Sequence, residues 1–290
     1  MVVSSIYLLF KLKKHMKKNL LMAVAVLAIC GSSIAQTYNP LQLKKGQKYQ
    51  VETKLNTNTV TEVQGQSMEN VADIVTTYLL EVKNVGDSID LANMVTSLKM
   101  NMSQMGQEIA YNSEDTADTN NPFAAPLKEF INKSYDVRIS TTGKIPENND
   151  EKETDMIVRQ LGDFESSGYG ATIAFLSLPK DVKAGTTWTN KVEKEGTNSV
   201  TEYTVKSVSG DLATLAIKGS TENEINMTNQ GIEMTVRGKG TFTGEQIVNV
   251  KTGVIQSSTT DANSDGTVEA MGQEFPTKTT VKSVTTVKML

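Results

Sequence analysis

The sequence predicts a mainly β protein, a β-rich α+β fold of two related antiparallel β-subdomains (half-barrel or sandwich) with a short helical insertion between them. Three observations lead there. Long segments alternate apolar and polar residues with period two, β-branched and aromatic residues are dense within them, and three such segments recur in the same order in both halves of the chain.

From the N-terminus, the first element is a leader. Lys17 and Lys18 precede an apolar run over residues 20–29, and Ser33-Ile34-Ala35 supplies a small-x-small cleavage site that leaves Gln36 as the mature terminus. The run is too short to span a bilayer well. Residues 1–35 therefore read as a signal peptide, with Met16 as the expected true start. Cys30 stands where a lipoprotein anchor could form, but Ile29 before it is bulkier than a lipid-attachment box requires. The expectation is an exported protein, periplasmic or extracellular, with anchoring at Cys30 the lesser alternative.

The leader changes the chemistry of what remains. The chain has 29 Lys and Arg against 33 Asp and Glu, and Lys11, Lys13, Lys14, Lys17 and Lys18 all leave with the leader, so 24 bases face 33 acids. The arginines are Arg138, Arg159 and Arg237. A nucleic-acid footprint is absent, and attraction to an anionic membrane surface is not expected. The one histidine, His15, and the one cysteine, Cys30, are also removed. That excludes Ser-His-Asp and Cys-His nucleophilic machinery, histidine acid–base catalysis, disulfides, and His/Cys zinc or copper sites. No cofactor is expected.

The first β-subdomain covers residues 36–148. Tyr78, Leu80 and Val82 share one strand face, Asn84-Val85-Gly86-Asp87-Ser88 reads as a turn, and Ile89, Leu91 and Val95 share the next face. Leu98, Met100 and Met102 continue in the opposite parity, which predicts a bulge between Val95 and Leu98. Leu127, Phe130 and Ile131 have helical spacing after Pro126, so a short helix is expected near 123–133. Residues 149–178 read as a helical connection, opening with acids and carrying Met156, Ile157, Gln160 and Leu161. Residues 169–181 are apolar and fit helix or strand equally. The second β-subdomain, 179–290, includes the alternating Ile232, Met234 and Val236.

The second subdomain reads as an internal duplicate of the first. Residues 43–49 align with 182–188, residues 75–87 with 200–211 after a one-residue gap, and residues 135–145 with 245–255. A period this long implies two packed copies, not a solenoid.

The candidate sites are few. Asp261, Asn263 and Asp265, followed by Gly266, match the start of a calcium loop, but Gly272 stands where the bidentate acid belongs. Asp265-Gly266 also fits a hairpin turn, the preferred reading. Leu98, Met100 and Met102 form a strand face that suits core packing, an adaptable apolar ligand or, with Met94 and Met105, soft copper. The acids of 150–153 and 222–224 read as solvated surface, not a glycosidase pair. Met-Gly-Gln-Glu occurs at 105–108 and again at 271–274, and reads as a turn used twice.

The run Gly46-Gln47-Lys48-Tyr49, the long hairpin, Leu178-Pro179 and Gly185-Thr186-Thr187-Trp188 resemble an uncharacterised family of exported Bacteroidota proteins, known chiefly as domains of unknown function. The resemblance extends from about Leu41 to the end. Its motifs are structural lead-ins to strands and imply no catalytic role. It does imply O-glycan acceptors at Ser88 and Thr116, each following Asp. The leading functional expectation is a non-enzymatic exported protein that binds an apolar or lipid-like ligand, binds no nucleic acid and is not an integral membrane protein. The alternative is a structural protein pairing through sheet edges, and the third is a carboxylate-based hydrolase.

Overall fold

Turn chemistry sets where these strands stop. In the computed structural model, residues 37–290 are described apart from 105–106, 116–126, 129, 145–172, 195 and 230–231, and Tyr38–Leu290 form one compact unit. Gln64-Gly65 and Met271-Gly272 both adopt positive φ (52° and 80°, 53° and 74°), the signature of a two-residue type I′ turn. The connections left between Gln104 and Gln107 and between Asn229 and Ile232 are also two residues ending in glycine. Between these points the segments run on as unusually long strands, through Pro276 in β11 and Asp265-Gly266 in β10.

The strands are β1 (Lys48–Val63), β2 (Gln66–Val85), β3 (Ser88–Gln104), β4 (Gln107–Asn112), β5 (Ser134–Ser140), β6 (Thr187–Lys194), β7 (Thr197–Ser209), β8 (Leu212–Asn229), β9 (Ile232–Asn249), β10 (Ile255–Ala270) and β11 (Gln273–Met289). They form one antiparallel sheet in the order β4-β3-β2-β1-β11-β10-β9-β8-β7-β6. β5 joins the same side of β3 as β4, over Ser88–Met94. Among the described residues the sheet is open, and the β1–β11 ladder from Tyr49↔Met289 to Thr61↔Thr277 joins its two halves.

The internal duplication is written into hydrogen bonds. β1-β2-β3-β5 and β6-β7-β8-β9 pair in the same sequence. Gly46 and Gly185 sit at φ 86° and 85°, and donate to Val82 O and Val205 O, both at 2.8 Å. Val82 N and Val205 N then donate to Gln47 O and Thr186 O, both at 2.9 Å. Each second strand next carries a bulge, at Lys83 and Lys206, before a hairpin through Gly86-Asp87 or Gly210-Asp211. Each fourth strand ends in a Thr-Gly turn, with Gly143 and Gly253 at φ 80° and 76°. These anchors make Leu80 the counterpart of Tyr203, so the sequence alignment of Tyr78 with Tyr203 is two residues out along the strand.

The core lies at the sheet end where β1 begins. One cluster joins Tyr49, Val51, Tyr78, Leu80, Ile89, Leu91, Val137 and Ile139 to Leu41, Leu43 and Phe175. A second joins Trp188, Tyr203, Val205, Leu215, Val248 and Ile255 to Leu178. Tyr49 meets Phe175 edge-on at 5.4 Å, and Trp188 stacks on Tyr203 at 4.9 Å. The segment over 173–179 opens with a brief helical turn and then runs extended, bridging Val254 and Tyr38.

Local expectations fared unevenly. Thr96 is the extra residue between Val95 and Leu98, because the ladder steps from Tyr78↔Val95 to Thr77↔Ser97. The helix near 123–133 is a single turn in its described part, with Ile131 N and Phe130 N both donating to Leu127 O at 3.0 Å. Asp265-Gly266 is not a turn. It lies inside β10, where Gly266 faces Gly238 of β9 and Thr277 of β11. The leader and most of the 149–178 connection lie outside the described residues.

Candidate functional site

Alternation gives every long strand two faces, and here they differ in chemistry. The outer face is charged and exposed. Lys239 Nζ lies 3.0 Å from Glu222, and Arg237 spans Glu224 at 3.6 Å and Glu269 at 2.9 Å. Lys218 pairs with Glu202 at 3.0 Å and Lys206 with Glu245 at 2.8 Å. The Arg237 guanidinium is held above its usual range, chiefly by its hydrogen bond to Glu269. Such exposed pairs each contribute little to stability, but they mark a face built for water.

The inner face changes along the strands. Beyond the two clusters it is covered on one wing by Leu127, which packs with Ile74, Leu98 and Met100. Further toward the type I′ turns, inner-face residues are half-buried, and on β11 they alternate with exposed outer-face neighbours. The middle of the sheet presents Thr57 and Thr59 of β1, Thr279 and Val281 of β11, and Ala262 and Ser264 of β10. Thr59 and Thr279 share a hydroxyl hydrogen bond of 3.0 Å. On one flank stand Ala72, Met102 and Ile109, and on the other Val236, Phe242 and Ile225. The result is a floor of small hydroxyl and methyl groups between apolar walls.

Glycine keeps that floor low. Gly219, Gly238, Gly240, Gly244 and Gly266 all fall on the inner face of β8–β10. Phe242 lies opposite Gly219, and its ring fills the place where a side chain on Gly219 would stand. Such glycines mark bends and close backbone approach in a sheet.

The candidate residues named from the sequence separate on this frame. Leu98 and Met100 are core, at 6% and 0% exposure, because Leu127 covers them. They therefore offer no ligand face. Met102, half-buried at the border of that cluster, remains on the wall of the open floor. Asp261, Asn263 and Asp265 are exposed on the outer face of β10, so an extended strand holds them in a row and cannot wrap them around an ion. Asp261 stands opposite Lys282, and Asp265 opposite Lys239 and Lys278. Among the described residues no cluster of His, Cys, Asp or Glu could hold a metal. Ser88 is half-buried at the head of β3, opposite Ser140. Thr116 lies outside the described residues.

Among the described residues, the carboxylates that shift do so downward. Glu81 and Glu114 are both held below the usual range, first by hydrogen bonds from Lys83 and Lys99. A general acid needs the opposite shift. Burial instead pushes Tyr49, Tyr111 and Tyr203 upward, Tyr203 to about 12. Sequence alone missed the Thr57-Thr59-Thr279 floor, because threonine at alternate positions reads simply as strand.

Comparison with known proteins gives one family. The model described as "Family of unknown function (DUF6263)" matches residues 86–157 and 172–255. No curated protein matches the chain. Among solved structures, one described as lipid–protein interactions in lipovitellin aligns at 13% identity and TM-score 0.46, over 85% of this chain. The chain spans only 25% of that lipovitellin. An outer membrane channel from Pseudomonas putida F1 aligns at 10% identity and TM-score 0.24, over 89% of this chain and 99% of the channel. Salmonella typhi OmpF in complex with daunomycin aligns at 9% identity and TM-score 0.20, over 84% and 98%.

Proposed function

We propose that this chain, which belongs to that family of unknown function, is an exported, non-enzymatic protein that holds an apolar, lipid-like ligand on the inner face of its sheet. The observation that carries the proposal is the contrast between the two faces beyond the core. One is charged and cross-paired; the other is half-buried, uncharged and lined by Thr, Ser, Ala and Gly between walls that include Met102 and Phe242. An acyl chain laid there would lose apolar area to the walls at about 25 cal/mol per Å². Its ester or head-group oxygens would meet the Thr59 and Thr279 hydroxyls. Methionine in the wall adapts to ligands of varied shape.

Export is supported by the leader, and a non-catalytic role by the removal of His15 and Cys30 with it. The site of action is then periplasmic or extracellular, with a lipid anchor at Cys30 the lesser form. No helix among the described residues is long and apolar enough to cross a membrane. A membrane-spanning barrel turns an apolar band outward, whereas these strands turn Lys, Arg, Asp and Glu outward.

Native mass spectrometry of the mature protein, taken from its own envelope, tests the proposal. A retained lipid mass is expected, and Ala262→Trp together with Thr279→Trp, which fill the floor, should abolish it. Ligand-free spectra from gently isolated material would remove the proposal. A single co-purifying protein with no lipid would favour the structural alternative.

A further inference from the structure

The duplication shows that one edge in this molecule is treated differently from its counterpart. β1 and β6 are the equivalent first strands of the two repeats. β1 is paired on both sides, by β2 and by β11. β6 is paired by β7 alone, and among the described residues its other edge carries no strand. The opposite margin of the sheet is broken into the short β4 and β5, a common way of blunting an edge. β6 is a single uninterrupted edge of eight residues.

The charges on β6 are also unspent. Several outer-face charges pair across neighbouring strands, as in Lys48–Glu81, Lys218–Glu202 and Lys239–Glu222. Lys191 and Glu193 face Val200 and Asn198 of β7, and neither has an ion-pair partner among the described residues. Between them Val192 is 39% exposed. We propose that β6 is a homodimerisation edge, pairing antiparallel with β6 of a second copy in a register centred on Val192.

Backbone parity and charge select that register together. Val205 N donates to Thr186 O, and alternation along an antiparallel ladder then turns the backbone groups of Trp188, Asn190 and Val192 toward β7. The N–H and C=O groups of Thr189, Lys191 and Glu193 face outward. Two copies related by a two-fold axis must match outward groups with outward groups. Centring the axis on Lys191 or on Glu193 would set like charges opposite each other, which is destabilising. Centring it on Val192 places Lys191 opposite Glu193 of the second copy, twice by symmetry, and sets the two valines against each other. The contact is isologous and closes at two copies. An edge of this length buries less than a standard interface, so association depends on concentration.

Sedimentation velocity of the mature protein across a wide concentration range, at low and high salt, is the test. A monomer–dimer equilibrium weakened by salt is expected. Lys191→Glu alone and Glu193→Lys alone should each weaken the dimer at least tenfold, since each sets two pairs of like charges together. The exchange K191E/E193K should restore it. Both side chains are exposed, so an unchanged thermal midpoint confirms that the variants fold. A monomer at every concentration, single variants that dimerise like the parent, or an exchange that fails to restore pairing would each overturn the proposal. So would a dimer in which a different protein occupies the β6 edge.

Discussion

Replacing Gly253 by alanine should cost far more than replacing its repeat counterpart Gly143, although both sit in the same turn. Both need positive φ, 76° and 80°, and an L side chain in that region costs roughly 1–2 kcal/mol. The space around them differs because Leu41 lies against both. A Cβ on Gly143 would stand 3.4 Å from Leu41 Cδ1, ordinary contact. A Cβ on Gly253 would overlap Leu41 Cδ2 and come within 2.9 Å of Leu176 O. Leu41 is 5% exposed within the first core cluster and cannot swing away freely. Overpacking of that kind adds about 1–3 kcal/mol. Gly143→Ala should then lower stability by about 1–2 kcal/mol and Gly253→Ala by about 2–5. At about 2–4 °C per kcal/mol for a domain of this size, the two melting midpoints should separate clearly by calorimetry. Adding Leu41→Val should recover part of the Gly253→Ala loss and none of the Gly143→Ala loss. Equal losses for the two alanine variants would refute the steric account.

Two further outcomes follow from buried polar groups. Thr53 and Thr285 are 2% and 4% exposed and share a 3.2 Å hydroxyl hydrogen bond between β1 and β11. Either single change to valine should cost about 1–3 kcal/mol by stranding the other hydroxyl, and the double change should cost less than their sum in a denaturant cycle. Tyr203 stays protonated to about 12, through burial first and the nearby Tyr38 second, against a usual value of 10.0. The unfolded chain therefore loses that proton first, so stability is intact below pH 10 and declines as pH rises toward 12. Absorbance at alkaline pH should show a tyrosine titrating near 12 that is absent in Tyr203→Phe, whose stability should fall less over that window.

The β class and the turns at Gly86-Asp87 and Met271-Gly272 were legible because the signals are local. Ile89, Leu91 and Val95 against Leu98 and Met100 announced the Thr96 bulge by a change of parity alone. The repeats were legible as a succession of motifs, but their register was not. A two-residue slip leaves every side chain on its own face, so aligning Tyr78 with Tyr203 looked as sound as the true match to Leu80. Asp265-Gly266 misled for a related reason. Its turn propensity is local, while the pairing of Gly266 with Gly238 and Thr277 is not, and ladder hydrogen bonds on both sides outweigh it.

By itself, the sequence determined the mainly β class and the duplication. Each follows from residue type, spacing or order along the chain. Only the tertiary structure decided that β1 meets β11 to join the halves in one sheet. It also decided that Leu127 closes over Leu98 and Met100, and that the threonines of β1 and β11 line an uncharged floor. Those are contacts between residues far apart in sequence, selected by which faces can be buried together, and no local pattern records them.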